Sequence, residues 1–474
     1  MLFFRQIRPL FRILFLVGSF VVGTSCKKDL ITIDPELPIP GIDRVFNDEN
    51  LPSLFVYVEP SEWNNLLSKY DSNHQTRDYV KCDVKMDFGG GKFYEVHEAG
   101  LRLRGQTSRN RPEGGSGPHV AGRTDWQHCH FGLHFRKFVK DSEQQIEGVR
   151  RINLKYAHED PSFIREHYCF DLLQRYGVWT APKTSWCRLY LYVRGDPGFA
   201  YYGVYLMMES IDNRYVKNRP EFGSEEGFLW KCGWNANLRD TDDWRFHLDD
   251  NGPDTYAYEL KDEDETSFAA AKAQIRDFIT KFNQYSGAAF QEWIERVCDV
   301  KLLLRMYAVN IAVGQWDDYW NDMNNFYVFF NSRDSVRYKF YMLPYDYDNT
   351  LGTSHRCGVQ TDSGRHDPYH WGMEQCPLIS KILSFPEYRD YYTQCLEELA
   401  SEDNSYFNYR SSLPRISRWQ NLISPYLPND TGEDESLRDA PASWGNHPEY
   451  RILLNNESNW FKIKCESIRR WTSQ

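Results

Sequence analysis

Seven short runs of alternating or aromatic residues follow one another from Leu54 onward: LFVYVEP, KCDVKMDF, EVHEAGLRLRG, HCHFGLHF, RINLKYA, SWCRLYLYV and YYGVYLMME. Alternation at period two places successive side chains on opposite faces of a strand, so this stretch reads as sheet. One helix interrupts it. Asp160 is a capping residue, Pro161 suits a first turn and Gly177 closes the helix, with Phe163, Tyr168, Leu172 and Leu173 as a core-facing stripe. After Gly233 the periodicity changes. Phe268, Ile275, Phe278, Ile279 and Phe282 fall at helical spacing, and Leu302 to Val313 is a second apolar helix with Asp299 as its cap. From Pro377 the chain again reads as helices. The expectation is an α+β fold: a strand-rich part over 48–232 and a helix-rich part over 233–474, with one hairpin embedded in the latter.

The ends and the bulk composition narrow the function classes. Aromatic residues make up 16% of the 474 residues, enough for a large core. A net charge of −11 argues against a general nucleic-acid binder, which needs clustered Lys and Arg. Arg5, Arg8 and Arg12 precede a short apolar stretch, Ile13 to Val22, and then Gly23-Thr24-Ser25-Cys26. Basic, apolar and small residues in that order make 1–26 a secretory leader. Small residues directly before a cysteine resemble a bacterial lipobox, which makes Cys26 the lipidated residue and places the protein in the cell envelope, on the outer membrane or cell surface. The plain signal peptide and the short anchor are the competing readings. Residues 27–47, with DPELPIPG, read as an extended tether. No CxxC pair occurs, which disfavours a zinc knuckle.

The embedded hairpin carries the chemistry. Asn325 to Phe330 is one strand, Asn331 to Ser335 the turn and Tyr338 to Leu343 the return, ended by Pro344. A turn centred near Asp334 and Ser335 puts Asn325 opposite Tyr345 and Asp346. Upstream, the apolar helix ends in Gln315-Trp316-Asp317-Asp318, which delivers more carboxylates to the same edge. One amide and two carboxylates on adjacent loops suit a hard cation such as Mg²⁺, and a further Asp suits a general base. The order helix, Asp, Asn, strand, strand, Asp is that of a protein-kinase catalytic core.

Several stretches together resemble the CotH kinase family, atypical secreted kinases named for a bacterial spore-coat protein: WDDYWNDMNNFYVFF, FYMLPYDYDNTLG, AGLRLRGQTSR, INLKYAHEDPSFIREHYCFDLLQRYG, GVYLMMESIDNRYVK and GFLWKCG. The resemblance spans roughly residues 50 to 400. It implies an atypical, bilobal kinase-like fold and transfer of the ATP γ-phosphate to Ser or Thr hydroxyls of a secreted or surface protein, with Mg²⁺ or alternatively Mn²⁺. It further implies Asp317 as catalytic base, Asn325 and Asp346 as metal ligands, and Asp348, with Asn349, completing the metal shell or bracing the loop. Arg104, Gly105, Thr107 and Ser108 of the RGxxS loop would cover phosphates. The strand after that loop carries His rather than Lys, so the nucleotide-contacting Lys is expected elsewhere, with Lys155 and Lys231 as candidates.

Other readings stand beside these. Asp318 and Asp322 compete with Asp317 for the base. Asp346 and Asp348 could cap turns or hold a structural calcium. His128, His130 and His134 share a strand face and could bind zinc. Glu166 and Glu209 could each hold a Lys, as the helix Glu of kinases does. At the level of function, the alternatives are a catalytically silent surface module binding glycan or protein, and a glycan kinase. Contact with membrane is expected only through the lipid anchor.

Overall fold

The seven strand runs close on themselves. In the computed structural model, β1 (Ser53–Val58), β2 (Val80–Asp87), β3 (Phe93–Arg104), β4 (His130–His134), β5 (Arg151–Lys155), β6 (Thr184–Val193) and β7 (Ala200–Glu209) form a closed barrel in the order β1-β2-β3-β4-β5-β7-β6. Neighbours are antiparallel except where β1 meets β6 in parallel and closes the ring. Closure removes the free edges that would otherwise template aggregation. The period-two pattern points Val80, Cys82, Val84 and Met86 of β2 into the barrel core. The structure describes residues 41–139, 144–158, 160–248, 257–261, 265–352, 364–438 and 459–474. The expected leader and Cys26 lie outside them.

Two helices begin the described chain. α1 (Gly41–Val45) corrects the expected tether, because Val45 and the following Phe46 are buried in the barrel core. Two large apolar side chains at this point cannot stay solvated while a core is within reach. α2 (Pro60–Ser72) opens on a proline and buries Trp63, Leu66 and Leu67 against the barrel. α3 (Arg165–Arg175) starts later than the sequence suggests. Asp160 uses its carboxylate on a preceding turn, accepting from the amides of Ser162 (3.0 Å) and Arg165 (3.0 Å), with Phe163 at φ 60° between them. Gly177, at φ 80°, does close the helix, and the stripe of Phe163, Tyr168, Leu172 and Leu173 is buried.

Beyond α4 (Asn213–Lys217) lies a second, five-stranded sheet: β8 (Phe228–Cys232), β9 (Phe246–Leu248), β10 (Tyr258–Leu260), β11 (Phe326–Phe330) and β12 (Phe340–Pro344), in the order β12-β11-β8-β10-β9. β11 and β12 pair with Phe326 opposite Pro344, the expected register. α5 (Glu265–Gln284) braces this hairpin. Gln274 donates to the turn carbonyls of Ser332 (2.8 Å) and Asp334 (2.9 Å), and the Phe278 ring stacks on Phe340 at 4.4 Å. α6 (Gly287–Val297) and α7 (Val300–Val313) follow, then α8 (Tyr319–Asp322), α9 (Pro377–Leu383), α10 (Pro386–Ala400), α11 (Tyr409–Ile423) and α12 (Trp460–Thr472). Asp299 caps α7 by accepting from the Leu302 amide at 3.0 Å, and Gly314 ends it at φ 66°.

The expected break near residue 232 is a place of continuous packing. β8 is a central strand of the second sheet, and α3 shares one core with α7 and the hairpin. Residues Pro40–Gln474 form one compact unit. The fold is therefore α+β, a strand barrel joined to a helix-rich part. Among the described residues, the nine cysteines are unpaired and buried, and no helix is long and apolar enough to cross a membrane.

Gly227, just before β8, touches the hairpin so closely that an added Cβ would lie 1.9 Å from the Phe330 carbonyl oxygen. Gly227→Ala should therefore cost about 3 kcal/mol, the upper range of overpacking penalties. Chemical denaturation measures this, and an unshifted midpoint would show that the two strands separate freely.

Candidate active site

The loop after α7 sorts its three carboxylates by hydrogen bonding. Asp318 is consumed by structure: its oxygens accept from the Asn321 amide (2.9 Å), which caps α8, and from Asn310 Nδ2 (2.8 Å). Asp317 instead faces a cavity of about 580 Å³, which Asp322 also lines. Three amides hold it. Asp317 Oδ1 accepts from Asn324 (3.1 Å), and Oδ2 accepts from Asn325 (2.8 Å) and Asn349 (3.2 Å). Burial, reinforced by the charge of Asp322, pushes the Asp317 carboxyl well above the ordinary range. A partly buried carboxyl with raised proton affinity is suited to taking a proton.

The feet of the hairpin converge on that cavity. Asn325 and Asp346 both sit in the left-handed region, at φ 54° and 60°, which Asn and Asp tolerate better than other side chains. Left-handed residues cluster at functional sites because the surrounding structure must hold them there. Here Gln315 Nε2 donates to the Asp346 carbonyl at 2.9 Å. The following loop is fastened by the Tyr347 hydroxyl, which donates to Asn310 at 2.5 Å, and by Arg165, whose Nε donates to the Thr350 carbonyl at 3.2 Å.

Lys155, the last residue of β5, joins the parts. Its ammonium lies 2.6 Å from a Glu166 oxygen on α3, 2.5 Å from Asp346 Oδ1 and 3.8 Å from Asp348 Oδ2. Burial opposes its charge, but Asp346, Glu166 and Asp348 together hold its pKa well above that of an ordinary lysine. Burial likewise works against ionisation of Asp346, yet Lys155 keeps that carboxyl below its usual value. Asp348 has no such close partner, and burial and Asp346 push it to about 6.

The structure thus brings Arg104, Gly105, Thr107, Ser108, Lys155, Asp317, Asn325, Asp346 and Asp348 to one cavity. Gly105 is at φ 94°, and its carbonyl accepts from Arg109 Nε at 2.8 Å, which tightens the loop that lines the cavity. Lys231 is the exception. It lines a smaller, adjoining cavity of about 160 Å³. Of the two candidate glutamates, Glu166 holds the lysine, and Glu209 is paired with Arg219 at 2.7 Å. His128 and His130 stack on Tyr156, at 5.2 and 4.4 Å, and burial lowers His128 to about 4. Among the described residues, no three His, Cys, Asp or Glu side chains form a ready metal cluster.

The oxygen donors present do suit Mg²⁺, which takes few protein oxygens and completes its shell with water and phosphate. Asp346, Asp348 and the amide oxygen of Asn325 are such a set, and the Lys155 ammonium already marks Asp346 as a cation position. The bracing by Gln315, Asn324 and Arg165 was missed from sequence. The Asn324-Asn325 doublet was the available signal, since adjacent amides behind an Asp have few other uses.

A family model for CotH kinase protein matches residues 101–460. The chain belongs to the CotH kinase family. No curated protein matches it. The matched span of this CotH kinase family member runs from β3 to the start of α12 and contains every cavity-lining residue named above.

Lys155→Met should cost about 3 kcal/mol, because it leaves the buried Glu166 and the partly exposed Asp346 without their cation. Urea unfolding at neutral pH measures the loss. An unchanged midpoint would show that the three carboxylates are solvated independently of the lysine.

Proposed function

We propose that this CotH kinase family protein transfers the terminal phosphoryl group of ATP to a hydroxyl, that of Ser or Thr in a protein of the cell envelope or its surroundings. The single observation behind this reading is the Lys155 ammonium held between Glu166 of α3 and Asp346 after the hairpin, facing Asp317 and Asn325. A strand lysine paired with a helix glutamate, followed by base Asp, Asn, hairpin and Asp, is the order of parts in protein kinases. We read the barrel and the helix-rich part as the two lobes of an atypical kinase-like arrangement on that basis.

Asn325, Asp346 and Asp348 would hold Mg²⁺, or Mn²⁺ in its place. The ion would neutralise charge on the phosphates when bound. Asp317 accepts the proton of the attacking hydroxyl, and Asn324, Asn325 and Asn349 keep its carboxylate aimed. Lys155 orients donor phosphates. Arg104, Gly105, Thr107 and Ser108 cover them and exclude water, as preorganised donors do in phosphoryl transfer. Incubating the full-length protein with γ-labelled ATP and Mg²⁺ or Mn²⁺ should label protein. Asp317→Ala should cut the rate about 10²–10⁴-fold, and Asp346→Ala should abolish labelling. Lack of both label and nucleotide binding would favour a silent surface module, and label on carbohydrate alone would make it a glycan kinase.

We further propose that the protein is an envelope lipoprotein held by a lipid on Cys26, on the strength of the leader pattern before that residue. Cys26→Ser should move the protein from the membrane to the soluble fraction and prevent labelling by a fatty-acid probe. Membrane retention of the variant would point to an uncleaved anchor.

A further inference from the structure

The 160 Å³ inner cavity lies between the barrel and the second sheet and shares Arg104, Gly105, Asn325 and Asp346 with the larger one. Its lining is cationic. Two carboxylates face it, Glu259 and Asp346, and other cations already engage both. Glu259 binds Arg77 at 2.8 Å and Lys261 at 2.7 Å, and Asp346 binds Lys155. Four further positive side chains therefore have no carboxylate of their own in the cavity. Among the described residues, Arg104 donates only to the neutral Tyr345 hydroxyl, at 2.8 Å, and Arg109 only to backbone carbonyls, those of Gly105, His74 and Thr76. The Nε of Arg102 is buried without a hydrogen-bond partner. Lys231 has no carboxylate within ion-pair distance among the described residues, and Arg151, also in the lining, turns to Asp212 at 3.5 Å.

For Lys231 and Arg109 such crowding is unfavourable without an anion, whereas Arg104, although burial opposes its charge, is held above its usual value by Tyr345, Tyr327, Tyr79 and Asp346. Burial and the neighbouring Arg77, Lys261 and Arg104 bring Lys231 down to about 7, against the pull of Glu259. Burial with Arg102, Arg104 and Arg77 brings Arg109 down to about 10. A neutral purine would do nothing for these charges, whereas phosphate oxygens would accept from each of them.

We propose that the inner cavity binds an oligophosphate chain, so that the ligand's phosphates extend past Asp346 to Arg102, Arg104, Arg109 and Lys231. This deepens the phosphotransfer reading and rests on it for the role of Asp346. The chain is that of an inorganic oligophosphate or of a nucleoside triphosphate entering phosphate first.

The test is calorimetry on the full chain with tripolyphosphate, ADP and adenosine, run beside the γ-label transfer assay. Tripolyphosphate should bind without any nucleoside, and Arg102→Gln and Lys231→Gln should each weaken it about tenfold, the scale of one charge-assisted hydrogen bond. Lys231→Gln should also raise the thermal midpoint of the ligand-free protein, a readout that separates lost binding from lost folding. ADP binding that tracks tripolyphosphate in both variants would identify a nucleotide entering phosphate first. ADP binding unmoved by them would identify the inorganic chain. Adenosine binding as well as ADP, or tripolyphosphate binding indifferent to both substitutions, would overturn the proposal. Label transfer without tripolyphosphate binding would overturn this cavity and leave the kinase reading standing. Tripolyphosphate binding sensitive to both substitutions, without label transfer, would support the cavity and overturn the kinase reading.

Discussion

One ammonium ties the molecule together. Lys155 ends a barrel strand, Glu166 belongs to the helix that follows the barrel's fifth strand, and Asp346 follows the hairpin of the second sheet. The lysine side chain is 12% exposed and that of Glu166 is 8% exposed. Charges so deep in a protein are tolerated only when paired at close range. The barrel therefore cannot slide against the helix-rich part without stranding at least one of them. Arg77 and Glu259 repeat the arrangement between the barrel side and the second sheet.

This pairing also divides the charge around the cleft. Carboxylates gather on the side of Asp317, Asp322 and Asp348, and cations gather behind Asp346. Burial and like charge raise the pKa of Asp317 and Asp348 on the first side and lower that of Lys231 and Arg109 on the second, an electrostatic cost to each charged form. Backbone strain adds to it, since Met323, Asn325 and Asp346 all occupy the left-handed region. Three amides on Asp317 and the Gln315 contact to Asp346 hold the geometry against that strain.

Much of this was readable in advance, and the failures have local causes. The hairpin register followed from the turn residues, and it alone placed Asn325 near Asp346. The start of α3 was misplaced because Asp160 looks like a helix cap but spends its carboxylate on a turn, with Phe163 forced to positive φ. The tether was drawn too long because Val45 and Phe46 have no periodicity of their own; their burial depends on the barrel. β8 was grouped with the barrel strands because an apolar run does not say which sheet it will join.

Sequence by itself determined the strand and helix content, the hairpin and the residue types at its feet, because period, turn chemistry and capping are local properties. It also supplied the order helix, Asp, Asn, strand, strand, Asp along the chain. Only the tertiary structure decided that Lys155 rather than Lys231 meets Glu166, that Glu209 turns to Arg219, and that Asp317 rather than Asp318 faces the larger cavity. Those choices rest on which side chains meet, from Lys155 and Glu166 at 11 positions apart to Lys155 and Asp346 at 191, on which face one cavity, and on which carboxylate is already spent on a backbone amide. Closure of the seven strands and the cationic cavity behind Asp346 are likewise products of packing, for no local pattern records that distant arginines will line one cavity.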